Sequence, residues 1–251
     1  MSFRLMFEIE PPRTPDLGRV LRQMEIFGPI VDSIIVPDNH LGRPAMSSVA
    51  IALEIKKQGF SPVPALNARD RNLLRLESDL LTLATYGIDE VLFLYGDPIS
   101  DGRSSLKVRH MLEAELGGDI KRGVLATIGR PLGWRERADF LLTKLDFGRR
   151  QAGYWREVAS FKQPLYCGVL ALPDLVMATR ILENIPDLTL PDGYLAGFDT
   201  DPEYGFQVAI KELDELRRSG VDGAQLVVPA NRRRFAEMLE KWKEENGGLV
   251  E

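Results

Sequence analysis

A glutamate inside an apolar run is the first residue of this sequence whose surroundings suggest chemistry. Glu8 lies within Met-Phe-Glu-Ile (6–9), and a proline pair (11–12) ends the segment. Enclosed apolar surroundings disfavour the charged form of a carboxyl group and raise its pKa, so such a group can deliver a proton near neutral pH. Glu10 shares the side-chain direction of Glu8 by strand alternation. Position alone therefore does not separate the two, and a salt-bridged surface glutamate is the alternative interpretation.

A second candidate is the sequence Gly96-Asp97-Pro98, which follows a continuous apolar stretch. The glycine would let a planar ligand approach the backbone, and the aspartate would accept hydrogen bonds from an amidine-like edge. A simple Gly-Asp-Pro turn is the alternative.

Further polar residues follow other apolar runs, where a parallel barrel would gather them at one face. They are Asp38, Asn39, Asn67, Arg69, Asp70, Arg71, Asn72, Lys144, Asp146, Asp174, Asn231 and Arg232. The basic run 232–234 would suit an anion at a helix N-terminus, or would be a solvated face balanced by nearby acids.

The elements that must position these residues alternate between short apolar runs and amphipathic helical patterns, which is typical of βαβ units. We predict strands at 3–9, 31–36, 61–66, 90–95, 121–127, 139–146, 165–171 and 223–228. Eight such strands predict an α/β fold, a compact (β/α)8 TIM barrel formed as a single domain over 1–251.

The spacing between these strands is uneven in two places. The short interval after the fifth strand predicts a shortened or missing helix there. Two helices are predicted between the last two strands, at 173–184 and 203–219, and 192–198 is predicted to be a short strand or loop between them. Apolar spacing also predicts one stripe of the second helix, formed by Met46, Val49, Ala50 and Leu53.

Composition limits the function classes. The 251 residues carry 32 basic and 37 acidic side chains, a net charge of −5, which disfavours nucleic acid as a partner. One cysteine and two histidines are too few for a zinc site. No apolar run approaches the roughly 20 residues that span a bilayer. We expect a soluble, cytoplasmic protein without a metal and without a membrane partner.

Three segments, taken in order, resemble the methylenetetrahydrofolate reductases. Residues 7–13 are similar to the opening strand of that family, in which a glutamate precedes a proline pair. Residues 69–88 are similar to its third loop and helix, most closely in the subgroup fused to homocysteine methyltransferases. Residues 91–98 are similar to its fourth strand with the Gly-Asp signature. Weaker likeness continues to the end of the chain.

The resemblance implies reduction of 5,10-methylenetetrahydrofolate, or a related pterin, to the 5-methyl form by NADH or NADPH through FAD. It assigns Glu8 as the acid and Asp97 to a catalytic position beside the pterin and the flavin. It places the substrate against Asp97, Lys144 and Leu175. It assigns the cofactor to Asn67, Arg69, Asp70, Arg71, Asn72, Gly96, Asp97 and Thr127.

The sequence departs from the family where FAD is usually held. Ala65 stands in place of a histidine, Thr127 begins a segment that lacks the usual tyrosine and His-Glu pair, and Lys144 replaces a glutamine. Two alternatives stay open beside the flavin reductase: direct hydride transfer from NAD(P)H, and a non-reducing pterin-binding or methyl-transfer subunit. The chain would act alone, as a homo-oligomer or with a partner subunit.

Overall fold

The computed structural model describes residues 3–39, 43–95, 103–127, 130–143, 145, 162–185, 188 and 190–247. Eight parallel strands close into a barrel in sequence order, and β8 pairs with β1. The strands are β1 (Arg4–Glu8), β2 (Ser33–Val36), β3 (Pro62–Asn67), β4 (Glu90–Leu94), β5 (Lys121–Ala126), β6 (Phe140–Thr143), β7 (Leu165–Leu170) and β8 (Gly223–Val227). The predicted TIM barrel is confirmed.

Helices follow the strands on the outside of the barrel. They are α1 (Gly18–Phe27), α2 (Ser48–Lys57), α3 (Leu73–Thr85), α4 (Arg103–Glu113), the 3₁₀ helix Gly133–Arg137, α5 (Leu175–Asn184), α6 (Tyr194–Thr200), α7 (Tyr204–Ser219) and α8 (Arg232–Gly247). None of the helices in the described ranges has both the length and the apolar character that a membrane crossing requires.

Strand alternation divides the apolar side chains into two layers. One layer fills the lumen of the barrel, and the other packs between the strands and the helices. The lumen layer consists of Met6, Ile35, Val63, Ala65, Leu92, Phe140, Leu142 and Tyr166. Gly123 makes room for one of its rings, because a Cβ added there would lie 2.0 Å from Phe140. The lumen is therefore a packed core.

A buried ion pair closes the N-terminal end of this lumen. The Arg4 guanidinium donates to both carboxylate oxygens of Glu90, one of them at 2.9 Å, and lies 5.6 Å from the centre of the Tyr166 ring. Burial alone would lower the pKa of Arg4, but the hydrogen bonds and charge interactions with Glu90 and Tyr166 together outweigh burial, so the pKa is raised.

The region after β5 confirms the predicted shortening of a helix. The 3₁₀ helix Gly133–Arg137 stands where the other crossovers of a TIM barrel have a longer helix. Its Trp134 packs edge-on against Tyr95 at 5.9 Å, and the Arg135 guanidinium lies 4.6 Å from the Trp134 ring. Trp134 and Arg135 thus cover the part of the outer face of the barrel that a longer helix would have covered.

One local prediction is wrong, and another is confirmed in part. Residues 194–198 form most of the helix α6 instead of a strand or loop, because Tyr194 is buried against Phe198 and Tyr204; residues 192–193 are the turn before it. Of the stripe predicted for α2, Val49 is buried, and Met46 and Leu53 are partly buried against the core. Ala50 is exposed, and the helix also buries Ile51, Ala52 and Ile55.

Candidate active site

Glu8 is the last residue of β1 and lies at the C-terminal mouth of the barrel. It follows Met6 by two residues, so its side chain takes the lumen face, directly above the apolar layer. Glu8 is half-buried, and the ladder continues one residue past it, since the Ile9 amide donates to the Ile35 carbonyl at 3.0 Å. A carboxyl group is therefore held at the end of the barrel where TIM-barrel enzymes carry out their chemistry.

Gln225 is a hydrogen-bond partner of Glu8. It lies in the middle of β8, pairs in register with Met6 on one side and Gly168 on the other, and is 7% exposed. Its side-chain amide donates a hydrogen bond to the Glu8 carboxylate. The acid is thus fixed by a neutral, buried group on the neighbouring strand.

Glu10 lies in a different environment from Glu8, although alternation gave both the same direction. β1 ends at Glu8, and the Glu10 side chain is 61% exposed and pairs with Arg232 at 2.8 Å. Buried Gln23 grips the Glu10 main chain, accepting from its N–H at 3.0 Å and donating to its carbonyl at 3.2 Å. The structure therefore separates an enclosed glutamate from an exposed, salt-bridged one.

Arg71, predicted to bind a cofactor, lies at the centre of a buried ion network. Its guanidinium donates to both oxygens of Asp38 at the end of β2 and to Asp79 of α3 at 2.9 Å. The two aspartate side chains are 3% and 2% exposed. Burial would lower the pKa of Arg71, but its hydrogen bonds to Asp38 and Asp79 raise it. Arg71 fastens the loop after β3 to its neighbours.

The other predicted cofactor residues of this loop also have partners within the protein. The Asn67 side chain accepts from the Arg69 amide at 3.0 Å, and Arg69 pairs with Asp70 at 2.8 Å. Asn72 caps α3 by accepting from the Arg75 amide at 2.8 Å. Each of these interactions is local, and it stabilises a turn or caps the start of a helix.

Lys107 of α4 completes this arrangement from the outer side of the loop. Its ammonium group donates to the carbonyls of Ala68 and Arg71, the second at 2.6 Å. A cation within the protein therefore occupies two of the backbone acceptors that follow β3, and the loop is held by α3 and α4 together.

These contacts bear on whether the described residues fit FAD. A flavin diphosphate needs donors that are not already engaged, and the Arg71 guanidinium would have to leave two buried aspartates to supply them. Because the helix after β5 is only a short 3₁₀ helix, it offers less protein surface beside Thr127 than a longer helix would. Among the described residues, the side chains assigned to FAD in the loop after β3 are engaged within the protein, so they do not fit a bound FAD as they stand.

Two further predicted residues lie at the same mouth. Thr127 is half-buried directly after β5, and its carbonyl accepts from the Arg130 amide at 3.2 Å. Leu175 is the first residue of α5 and is 39% exposed, beside Val176 at 78%. Leu175 and Val176 thus form an exposed apolar pair at the N-terminus of α5.

Four candidate residues, Gly96, Asp97, Lys144 and Asp146, lie outside the described residues. They follow β4 and β6 in the sequence. The roles that the resemblance gives to Gly96, Asp97 and Lys144 stay predictions.

Two arginines of the basic run 232–234, in the first turn of α8, pair with acids. Arg232 pairs with Glu10, and Arg234 pairs with Glu203 at 2.5 Å. Asn231 adopts a left-handed backbone with φ of 50°, as does Asn39 after β2 with φ of 48°. Asparagine tolerates this conformation better than most residues, so both positions are turn positions at the mouth.

Gln225 and the role of Asp38 are what sequence reasoning missed. Gln225 alternates with Ala224 and Leu226, which face the helices, so its parity places it in the lumen. The available signal was a polar residue at a lumen-facing position of β8, the strand that closes the barrel. Asp38 offered no comparable signal, because its partner Arg71 lies 33 residues away.

Comparison with known proteins adds the fold alone. No protein-family model matches the chain, and no curated protein matches it. Many solved structures do match. One is the spore cortex-lytic enzyme SleL of Bacillus cereus, with a TM-score of 0.57 and 11% identity over 95% of this chain and 74% of that chain. At this identity the shared barrel carries no information about the reaction.

Proposed function

We propose that this chain catalyses the NAD(P)H-dependent reduction of 5,10-methylenetetrahydrofolate, or of a related methylene-bearing pterin, to its 5-methyl form. The observation that carries the proposal is the position of Glu8 in the lumen at the C-terminal mouth, with its carboxyl group fixed by Gln225. The ordered resemblance of 7–13, 69–88 and 91–98 to methylenetetrahydrofolate reductases supports the substrate class.

Glu8 acts as the general acid in this proposal. The carbon–nitrogen bond between the methylene group and the leaving amine breaks, and the electron pair of that bond takes the Glu8 proton. The methylene carbon is left as an iminium, which accepts a hydride and becomes a methyl group. One hydride and one proton are consumed, NAD(P)⁺ is released, and Glu8 regains its proton from water.

The hydride comes from NADH or NADPH, and FAD as its carrier stays a prediction from the resemblance. Because the described side chains after β3 are engaged within the protein, the diphosphate of FAD or of NAD(P)H would be held by other groups, and direct transfer from the nicotinamide is the alternative to the flavin route. The apolar pair Leu175 and Val176 would lie against the substrate, with Lys144 and Asp97 as its predicted polar contacts. We place the reaction in the cytoplasm.

A second candidate function follows from the same engaged loop. A pterin-binding or methyl-transfer subunit would use Glu8 and the apolar pair Leu175 and Val176 but would transfer no hydride. The short 3₁₀ helix after β5 favours it, since that segment offers little length for a second cofactor.

The test uses NADH and NADPH that carry deuterium at the reduced nicotinamide carbon. The purified protein is incubated with either cofactor and methylenetetrahydrofolate, and the product is examined by mass spectrometry. Deuterium retained in the methyl group is the expected result of direct transfer. A methyl group without deuterium, together with flavin absorbance in the purified protein, would establish the flavin route, because hydrogen carried on a reduced flavin exchanges with water.

The same experiment can also exclude the reductase reaction. If neither cofactor is oxidised while the protein still binds the reduced pterin, measured by quenching of tryptophan fluorescence, the second candidate function is correct.

A further inference from the structure

Glu8 is hydrogen-bonded by an amide, and this choice of partner has a chemical meaning. We propose that Gln225 is a positioning residue that holds the Glu8 carboxyl group at the mouth of the barrel in both of its protonation states. The inference rests on the proposed function, in which Glu8 gives and regains a proton.

The position of Gln225 makes it suited to this role. The backbone of β8 is fixed on both sides, by pairing with β1 at Met6 and with β7 at Gly168. The side chain is 7% exposed, so water competes little for its hydrogen bonds. Met6 and the apolar lumen layer lie below it. The Gln225 side chain is therefore held beside Glu8 while Glu8 changes its charge.

A primary amide can serve both forms of a carboxyl group. Its NH₂ donates to the carboxylate, as in the structure, and its carbonyl accepts from the protonated acid after a half-turn about the last side-chain bond. An arginine or lysine at this position would hold Glu8 ionised, and an apolar residue would satisfy neither form. Gln225 keeps the geometry of the acid constant through the proton transfer.

Among the described residues, three charged pairs near the lumen have partners of their own. Arg4 and Glu90 bind each other at the opposite end of the barrel. At the mouth, Arg71 binds Asp38 on the β2 side. Glu10 binds Arg232 beyond the end of β1. Asp97 and Lys144 follow β4 and β6 in the sequence, outside the described residues.

The experiment measures the titration of Glu8 directly. Protein is labelled with a heavy carbon isotope at the glutamate side-chain carboxyl, the Glu8 signal is identified by its loss in Glu8→Gln, and its pKa is followed by NMR. Gln225→Met keeps the length of the side chain and removes its hydrogen bond. A hydrogen bond to a charged group is stronger than one to a neutral group by about 1 kcal/mol, so the Glu8 pKa should rise by about one unit.

Gln225→Lys supplies the opposite change. Its ammonium group can only donate, and its positive charge favours the carboxylate, so the Glu8 pKa should fall. Shifts of opposite sign cannot come from a merely structural disturbance, and either variant alone gives a sign if the other does not fold. The acid limb of the pH profile of kcat/KM should move in the same direction as the NMR value.

The matched control is Leu226→Ala. Leu226 is the next residue of β8, but its side chain faces the helix layer, so the variant weakens the same strand without touching Glu8. Its Glu8 pKa should equal that of the wild type. An unchanged pKa in Gln225→Met, or shifts of the same sign in both Gln225 variants, would overturn the inference. The titration needs no turnover, so failure of the proposed function appears separately, as absent reduction with an intact titration response.

Discussion

The acidic residues on two sides of the barrel mouth have different partners. On the β2 and β3 side, Asp38 and Asp79 bind the Arg71 guanidinium and are almost fully buried. On the β1 side, Glu8 is half-buried and accepts a hydrogen bond from the neutral amide of Gln225. The first arrangement uses full charges to fasten a loop. In the second, a neutral amide contributes to holding the carboxyl group. The comparison shows that carboxyl groups at one end of the same barrel are held by partners of different chemistry.

The largest effect expected on the stability side comes from Arg71→Met. It leaves Asp38 and Asp79 buried without their shared cation, which should cost about 3–5 kcal/mol of unfolding free energy in urea. Arg75→Met is the matched control, because Arg75 binds the same Asp79 at 2.8 Å but is 62% exposed. That variant should lose less than about 1 kcal/mol. Equal losses in the two variants would show that the network is not what fastens the loop.

Asn72→Ala tests whether a loop residue serves the fold, the cofactor or both. Loss of the cap on α3 should cost about 1 kcal/mol of stability. Asp174→Ala removes the equivalent cap of α5, where the side chain accepts from the Met177 amide at 2.7 Å, and should cost a similar amount. A raised KM for NAD(P)H in Asn72→Ala alone would assign that residue to the cofactor as well.

Glu8→Gln should change stability by less than about 1 kcal/mol, since an amide of the same shape replaces a carboxyl that is bonded to another amide. Thermal unfolding of the variant and the wild type, at equal pH, measures the difference. A loss as large as that of Arg71→Met would remove the contrast between the two groups and make Glu8 a structural residue.

The smallest effect expected concerns the exposed pair Arg69 and Asp70. The Arg69 guanidinium lowers the pKa of Asp70 below its ordinary value of about 3.9. A carboxyl with a lowered folded-state pKa stabilises the fold above that ordinary value, and the contribution is lost as the pH falls through the lower one. Asp70→Asn should remove this dependence, by less than about 1 kcal/mol. Unfolding at about pH 6 and about pH 3 measures it, with exposed Asp199→Asn as the control.

Much of the fold could be predicted from the sequence because strand and helix patterns are local. All eight strands were placed correctly within a few residues, and the short interval before β6 indicated the shortened crossover. The α6 segment was missed because its stability comes from tertiary contacts, in which Tyr194 packs on Tyr204 at 5.6 Å. Its sequence, with two glycines in seven positions from 192 to 198, has little helical character of its own.

The candidate site was less predictable, because side-chain partners lie far apart in the sequence. Alternation could not separate Glu8 from Glu10, since it does not say where a strand ends. The side chains of the 69–72 loop look alike as potential ligand groups, and only the fold reveals that Arg71 is bound by Asp38 and Asp79. Gln225, 217 residues from Glu8, required barrel closure to become its partner.

Turnover of Glu8→Gln beside Glu10→Gln is the measurement that tests the central claim most directly. Both variants neutralise one carboxyl at the end of the same strand, one in the lumen and one exposed beside Arg232. With methylenetetrahydrofolate and NAD(P)H, Glu8→Gln should reduce kcat/KM by about 100- to 10,000-fold, as expected for loss of a general acid, and Glu10→Gln should change it only a few-fold. Normal turnover in Glu8→Gln, or an equal loss in both variants, would contradict the assignment of Glu8 as the acid.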